Sequence, residues 1–308
     1  MRLDHDLLTR FETGLDPRWL ERSSPPAQVV GFGEISAIFH INGDETVVYK
    51  RLPLFTTRTA ADRYAGLHEE YCRLLIRAGL RLPESATAVV AVPRRPFVLY
   101  IAQQTLPASR FGHRLIHRLP EDGVAALLRR IIAQQQLIRT FNQTVGPDLK
   151  IAVDGQLSNW AVDDGDVDAG PIVFVDTSTP FIRRRGQHQL DTALLLRSVP
   201  VFIRPLLSGL LVKDILDRYF DLRRNLIDLV ANLFKEQRPD LIPLAVAVIN
   251  EVLAGEFQPL REREVASYYR TDKYIWAVFL TLRRLDRWVA TRLLRRRYEF
   301  ILPGDIRR

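Results

Sequence analysis

Five widely separated groups of residues are of the types that handle phosphate and a divalent cation. A Gly31-Phe32-Gly33 turn follows the apolar pair Val29-Val30, and Lys50 closes the run Val47-Val48-Tyr49-Lys50. Glu69 and Glu70 stand together further on, Asp154 is followed at the fifth position by Asn159, and Asp176 closes Phe174-Val175-Asp176. Glycines between paired strands let backbone N–H groups approach phosphate oxygens with no Cβ in the way. A lysine on a strand supplies a compact cation, oriented by a helix carboxylate. Two carboxylates and an amide suit Mg²⁺, which takes hard oxygen ligands and completes its shell from phosphates and water. A carboxylate left free of the metal can take a hydroxyl proton. In this order the set matches the parts needed to bind ATP and Mg²⁺ and to transfer a phosphoryl group.

The elements that must hold these groups follow from local pattern. Leu7, Leu8 and Phe11 predict a short amphipathic helix, closed by Ser23-Ser24-Pro25-Pro26. Strands are expected at Val29-Val30, at 37–41 and at 46–50, with Asn42-Gly43-Asp44 as a hairpin turn between the last two. From Thr59 to Ala78 the period is helical, with Tyr64, Leu67, Tyr71, Leu74 and Leu75 on one side and Gly79 as the stop. Apolar strands at 88–92 and 97–102 complete a five-strand, one-helix region. Thr105 to His117 reads as a hinge, Glu121 to Phe141 as a long helix, and 149–180 as short strands and loops. From Leu190 the chain is helical to about Tyr298, with breaks near Pro200, Pro205, Ser208-Gly209, Pro239 and Gly255. This divides the chain into a helical lead (1–27), a sheet-and-helix lobe (28–104) and a helical lobe (105–308) with its catalytic loop at 152–180.

With these motifs in order, the sequence resembles the protein-kinase-like superfamily, and more closely its small-molecule branch of the aminoglycoside phosphotransferase and choline kinase type. The resemblance covers roughly residues 28–200. It implies a bilobal α+β fold with an antiparallel N-terminal sheet plus helix and a mostly helical C-terminal lobe. It also implies an ATP- and Mg²⁺-dependent phosphotransferase acting on a hydroxyl-bearing small molecule. Carried over by position, Gly31 and Gly33 cover the phosphates and Ser36, where the third glycine would stand, adds a hydroxyl donor. Lys50 contacts phosphates, Glu70 (with Glu69 as competitor) pairs with it, Asp154 is the catalytic base, and Asn159 and Asp176 bind metal. Glu70 heads the pattern Glu70-Tyr71-x-x-Leu74-Leu75-x-x-x-Gly79-Leu80-x-x-Pro83, which is similar to that of small-molecule kinases. Three positions depart from the pattern: Ala152 where histidine is usual, Gln156 where lysine or histidine often stands, and Thr177-Ser178 after Asp176 instead of Phe-Gly. The support of the loop must therefore differ. A catalytically impaired pseudokinase scaffold and a nucleotidyl transferase stand as alternatives.

Composition bounds the rest. With 308 residues, 47% hydrophobic and 26% charged, the chain can bury a large core. The acidic first residues and the lack of an apolar run point to a cytoplasmic location. Cys72, the only cysteine, excludes an internal disulfide and a cysteine-built zinc site and reads as a packed thiol. The six histidines form no metal-ligand spacing. Arg183-Arg184-Arg185 reads as a solvated run or as a recogniser of an acidic acceptor. The net charge of +8 is concentrated in residues 261–308, which hold 13 Lys or Arg against 6 Asp or Glu. Ile275, Val278, Phe279, Leu282, Leu285, Val289 and Leu293 recur there at helical spacing and are expected to face the core, with the arginines outward. That outer face is either simply solvated or a surface for an anionic partner or a membrane; no specific nucleic acid is expected.

Overall fold

A two-residue turn sets the register of the N-terminal sheet. Asn42 and Gly43 both take positive φ (55° and 76°), the backbone that joins two right-twisted antiparallel strands, and they connect Ala37–Ile41 (β2) to Asp44–Phe55 (β3). Around this hairpin Ala27–Phe32 (β1), Ser85–Val90 (β4) and Phe97–Gln104 (β5) complete an antiparallel sheet in the order β1-β2-β3-β5-β4. The computed structural model describes residues 1–32, 36–163, 166, 169–191, 193–194 and 209–302. Gly33, one of the two glycines assigned to the phosphates, lies outside them, as do the breaks expected at Pro200, Pro205 and Ser208.

Between β3 and β4 runs a helix, Arg58–Arg77 (α2). Thr57 caps it by accepting from the Ala60 N–H, and Gly79 (φ 99°) ends it, its N–H bonded to the Ile76 carbonyl. The chain is a mixed α/β protein with an antiparallel sheet toward its N-terminus and a helical part toward its C-terminus. The helical part is framed by Glu121–Thr144 (with Gly112–Leu115 before it, α4 and α3), Gly209–Asp217 (α5), Leu222–Lys235 (α6), Ile242–Val252 (α7) and Glu262–Trp288 (α8). Short strands lie between: Leu149–Ile151 (β6), Trp160–Val162 (β7), Ile172–Phe174 (β8), Ile182–Arg184 (β9) and Gln187–His188 (β10). β7 and β8 pair as a hairpin, and β6, β9 and β10 form a second small sheet.

The large sheet is covered on both faces, so alternate residues of β3 enter different cores. Leu52 and Leu54 join Tyr64, Tyr71 and Leu75 of α2 and the helical part. Tyr49 joins Phe39 and Tyr100 with Leu8 and Phe11 of the N-terminal helix His5–Gly14 (α1). In this second layer Arg51, 2% exposed, forms a two-pronged bond to Glu12 (2.8 and 2.7 Å) and reaches Glu299 (3.1 Å) near the C-terminus. Arg95 also bonds both glutamates, and Tyr100 donates to Glu12. Two arginines and two glutamates thus balance inside an otherwise apolar layer.

One expectation is overturned. Of the stripe expected to face the core, Ile275 (58%), Val278 (39%), Leu285 (46%) and, beyond the helix, Leu293 (64%) are exposed, while Phe279, Leu282 and Val289 are half-buried and Arg283 is buried at 3%. The reason is the chemistry of the face that packs inward, which carries Val265, Tyr268, Trp276, Phe279 and Arg283. Aromatic rings there take up a guanidinium: Arg283 lies over Phe279 (5.5 Å) and Phe300 (4.9 Å).

Removing Arg51 takes a two-pronged bond and a countercharge from buried Glu12 and leaves Arg95 to face both glutamates. Arg51→Ala should lower unfolding free energy by about 3–5 kcal/mol, read from urea or guanidinium denaturation. Arg51→Lys should recover only part, because an ammonium cannot reproduce the planar fork.

Candidate active site

Lys50 sits near the middle of β3, where Ile38 and Ile101 flank it in register, and only 5% of it is exposed. Its Nζ donates to the Asp176 Oδ1 (3.0 Å) and the Val175 carbonyl (3.2 Å). Asp176 follows β8, and the β7–β8 hairpin explains its position. Trp160 pairs with Phe174, and the Val175 N–H bonds the Asn159 carbonyl (2.9 Å), which sets Asn159 and Asp176 on adjoining strand ends. Burial works to raise the pKa of Asp176, but the Lys50 ammonium and hydrogen bonds from Ser178 outweigh it and hold the carboxyl below its usual range. Oδ1 takes the bonds from Lys50 and Ser178, and Oδ2 takes none among the described residues.

Asp154, Asn159 and Asp176 line one cleft of about 130 Å³ with Phe32. The structure thus brings Lys50, Asp154, Asn159 and Asp176 together. Gly31 lies in β1 next to Phe32, where a Cβ would meet only ordinary contact with Ile38 (3.6 Å), so packing does not require glycine there. Ser36 is buried at 7% just before β2.

The expected Lys50–Glu70 pair is not formed. Glu70 is bonded by Arg184 of β9, and Glu69 is exposed, with only a long bond from Thr87 (3.4 Å) among the described residues. The reason is helical phase: the face of α2 that turns inward carries Tyr64, His68 and Tyr71, one turn apart, and the two glutamates fall outside it. All three inward residues bond the segments that carry the acids. Tyr64 donates to the Ser178 carbonyl (2.9 Å), His68 Nε2 meets Thr177 Oγ1 (3.0 Å), and Tyr71 donates to the Ala152 carbonyl (2.5 Å). Gln103 of β5 also donates to Thr177 Oγ1 (3.1 Å). Cys72, half-buried, lies 3.7 Å from His68 Nε2 with its thiol pKa pushed up by burial. The basic run at 183–185 serves the scaffold: Arg184 holds Glu70, and Arg183 bonds Asp217.

The loop at Asp154 is held by residues that motif spacing did not single out. Asn225 of α6 accepts from the Gly155 N–H (2.9 Å) and donates to the Val153 carbonyl (2.6 Å). A Cβ on Gly155 would stand 2.4 Å from the Asn225 oxygen and 2.7 Å from Gln135, so only glycine fits. Asn159 donates to the Asp154 carbonyl (3.2 Å) and Trp160 to the Gly155 carbonyl (3.2 Å). Together with Tyr71, these bonds replace the support expected from a histidine at position 152. Gln156 links the loop to α6, accepting from Lys235 (3.2 Å) and donating to Asp228 (3.3 Å). An ammonium group therefore reaches the loop from another element.

The far wall of the cleft comes from α6 and α8, with Asp228, Lys235, Tyr268, Asp272 and Trp276. Burial, with Asp272 adding, pushes the Asp228 pKa up against the opposing pull of Arg218 and of hydrogen bonds from Tyr268 (3.0 Å) and Gln156. Among the described residues no three His, Cys, Asp or Glu gather into a ready-made metal site. Asp176 and Asn159 are among the oxygen-bearing side chains of the cleft that could hold a hard cation.

The sequence profile of DUF6206, a family of unknown function, matches residues 29–287. The chain belongs to DUF6206. The match runs from β1 almost to the end of α8, so every residue of the cleft lies inside it. No curated protein matches the DUF6206 chain by sequence. Among solved structures, that of WaaP in complex with acyl carrier protein is similar at 11% identity and a TM-score of 0.35, over 82% of this chain and 95% of that one. Likeness at that level assigns no fold to DUF6206. No helix among the described residues is long and apolar enough to cross a membrane.

His68 provides a test of the seam between α2 and the acids. Burial, reinforced by Lys50 and opposed by Asp176, lowers its pKa from 6.5 to about 4. The unfolded chain therefore binds a proton over that window that the folded chain refuses, and stability should fall as pH drops from 6.5 to about 4. The full effect corresponds to about 3 kcal/mol. Urea denaturation across this range should show a shallower slope for His68→Gln than for wild type.

Proposed function

We propose that the protein is an ATP- and Mg²⁺-dependent phosphotransferase acting on a hydroxyl group of a small molecule, built on a bilobal kinase-like fold. The observation that carries this reading is the Lys50–Asp176 contact at 3.0 Å. It joins the antiparallel sheet to the β7–β8 hairpin at a cleft that Asp154 and Asn159 also line. Lys50 contacts the nucleotide phosphates, with Gly31 of β1 beside them. Asp176 and Asn159 hold Mg²⁺, which supplies charge neutralisation on the transferring group. Asp154 accepts the proton of the acceptor hydroxyl, and Lys235 stands near the loop as a second cation. The acceptor occupies the wall formed by Asp228, Tyr268 and Asp272. The present cleft of about 130 Å³ is smaller than the roughly 300 Å³ at which small-molecule pockets begin, so binding requires the walls to separate.

A second reading, a catalytically impaired scaffold that binds nucleotide or only a partner, draws on one observation. Lys50 has no carboxylate partner from α2, since Glu70 is held by Arg184.

ATP turnover with and without Mg²⁺, over a panel of hydroxylated metabolites and followed by mass analysis, separates the readings. Gain of one phosphoryl group supports the first, binding without product supports the second, and a nucleotidyl adduct replaces both. Asp154→Ala should lower turnover by about 10²- to 10⁴-fold with nucleotide affinity nearly unchanged. Asp176→Ala should weaken Mg²⁺-dependent binding of a nonhydrolysable ATP analogue, measured by calorimetry. Turnover at the wild-type rate in the Asp154 variant would remove the mechanism.

A further inference from the structure

At the C-terminal end of α8, away from the cleft residues, a groove of about 410 Å³ is lined by Arg18, Arg284, Arg287, Arg292 and Arg297. Among the described residues its one acidic lining residue is Asp16, whose Oδ1 already accepts the backbone N–H groups of Arg18 (2.8 Å) and Trp19 (3.2 Å). Arg297 bonds Glu299 and the Leu15 carbonyl, so it is held in place by the scaffold. Among the described residues, five guanidinium groups thus line one concave surface that carries a single carboxylate in its lining. The crowding registers at Arg287, whose pKa is lowered by burial and by the proximity of Arg18 and Arg284.

Beside this groove the outward face of the same helix is apolar. Tyr274 is 71% exposed, Ile275 58%, Leu285 46% and Trp288 53%, and Leu293 and Leu294 beyond the helix are 64% and 56% exposed. At 100° per residue, Tyr274, Val278, Leu285 and Trp288 lie along one stripe, with Arg270 and Arg284 at its border. An exposed apolar stripe ending in a tryptophan and bordered by arginine is the pattern of a helix that lies in a membrane interface.

We propose that this end of α8 docks the protein on a membrane surface rich in anionic phospholipid, with headgroup phosphate in the arginine groove and the apolar stripe in the interface. Charge complementarity selects this occupant. A second copy of the chain would bring arginine against arginine about any two-fold axis through the groove. A free phosphate ion would neutralise the groove and leave the stripe in water. The inference is independent of the phosphotransferase reading.

The test uses the full chain. Sedimentation with phosphatidylcholine vesicles should recover little protein. Vesicles mixed with phosphatidylglycerol should recover most of it, with Trp fluorescence shifted to the blue and binding weakened by salt. The double variant Arg284→Glu/Arg287→Glu and the single variant Leu285→Asp should each lower vesicle binding by about tenfold or more, with melting temperatures near wild type. Calorimetry with inorganic phosphate separates the sources. Weak phosphate binding lost in the arginine variant but kept in Leu285→Asp supports the lipid assignment. Phosphate binding without vesicle binding would reduce the groove to a soluble-anion site and overturn the proposal. So would a dimer by light scattering that Leu285→Asp dissolves and that binds no vesicles.

Discussion

An ammonium group 5% exposed on the central strand of the sheet needs a counter-charge, and here Asp176, 126 residues further along the chain, supplies it. Burying an unpaired ammonium costs several kcal/mol, so the sheet and the β7–β8 hairpin are stable together only in the arrangement that joins them. The same contact decides the electrostatics of the cleft, because it keeps Asp176 ionised against the burial that would neutralise it. Asp154 and Asn159 inherit their position from the hairpin that this pair anchors.

A seam of polar side chains supports that contact without adding charge. Tyr64, His68, Tyr71 and Gln103 bond backbone carbonyls and one threonine hydroxyl in the segments around the acids. Asn225 does the same from the opposite side and leaves no space for a side chain at Gly155. Neutral donors of this kind fix a loop more cheaply than ion pairs, since they meet carbonyls that would otherwise be buried without partners. They also leave the carboxylates as the dominant charges facing the cleft.

How much of this was legible in the sequence depended on the range of each signal. The Asn42-Gly43 turn, the end of α2 at Gly79 and the strand that delivers Asp176 are written in a few adjacent residues, and they stand where local chemistry put them. Glu70 was misplaced because a motif fixes order along the chain but not helical phase. Reading the inward face of α2 as Tyr64, His68 and Tyr71 would have excluded it. The orientation of α8 was inverted because its aliphatic residues outweighed its aromatic ones, whereas the inward face is built from rings, Asp272 and a buried arginine. Nothing local announces that Arg51 joins Glu12 to Glu299, since the three come together only after both ends of the chain have reached the sheet.

Lys50 and Arg51 are consecutive, so the pleat sends the first toward Asp176 and the second to the opposite layer. A slip of β3 by one residue against β2 and β5 would exchange them. The broad guanidinium would then crowd a site shaped for an ammonium, and the ammonium would face two glutamates that need a fork. Each cation thus proofreads the other's placement. During folding, a misthreaded sheet would be penalised in both layers at once, and this makes the strand's alignment self-correcting before any ligand arrives.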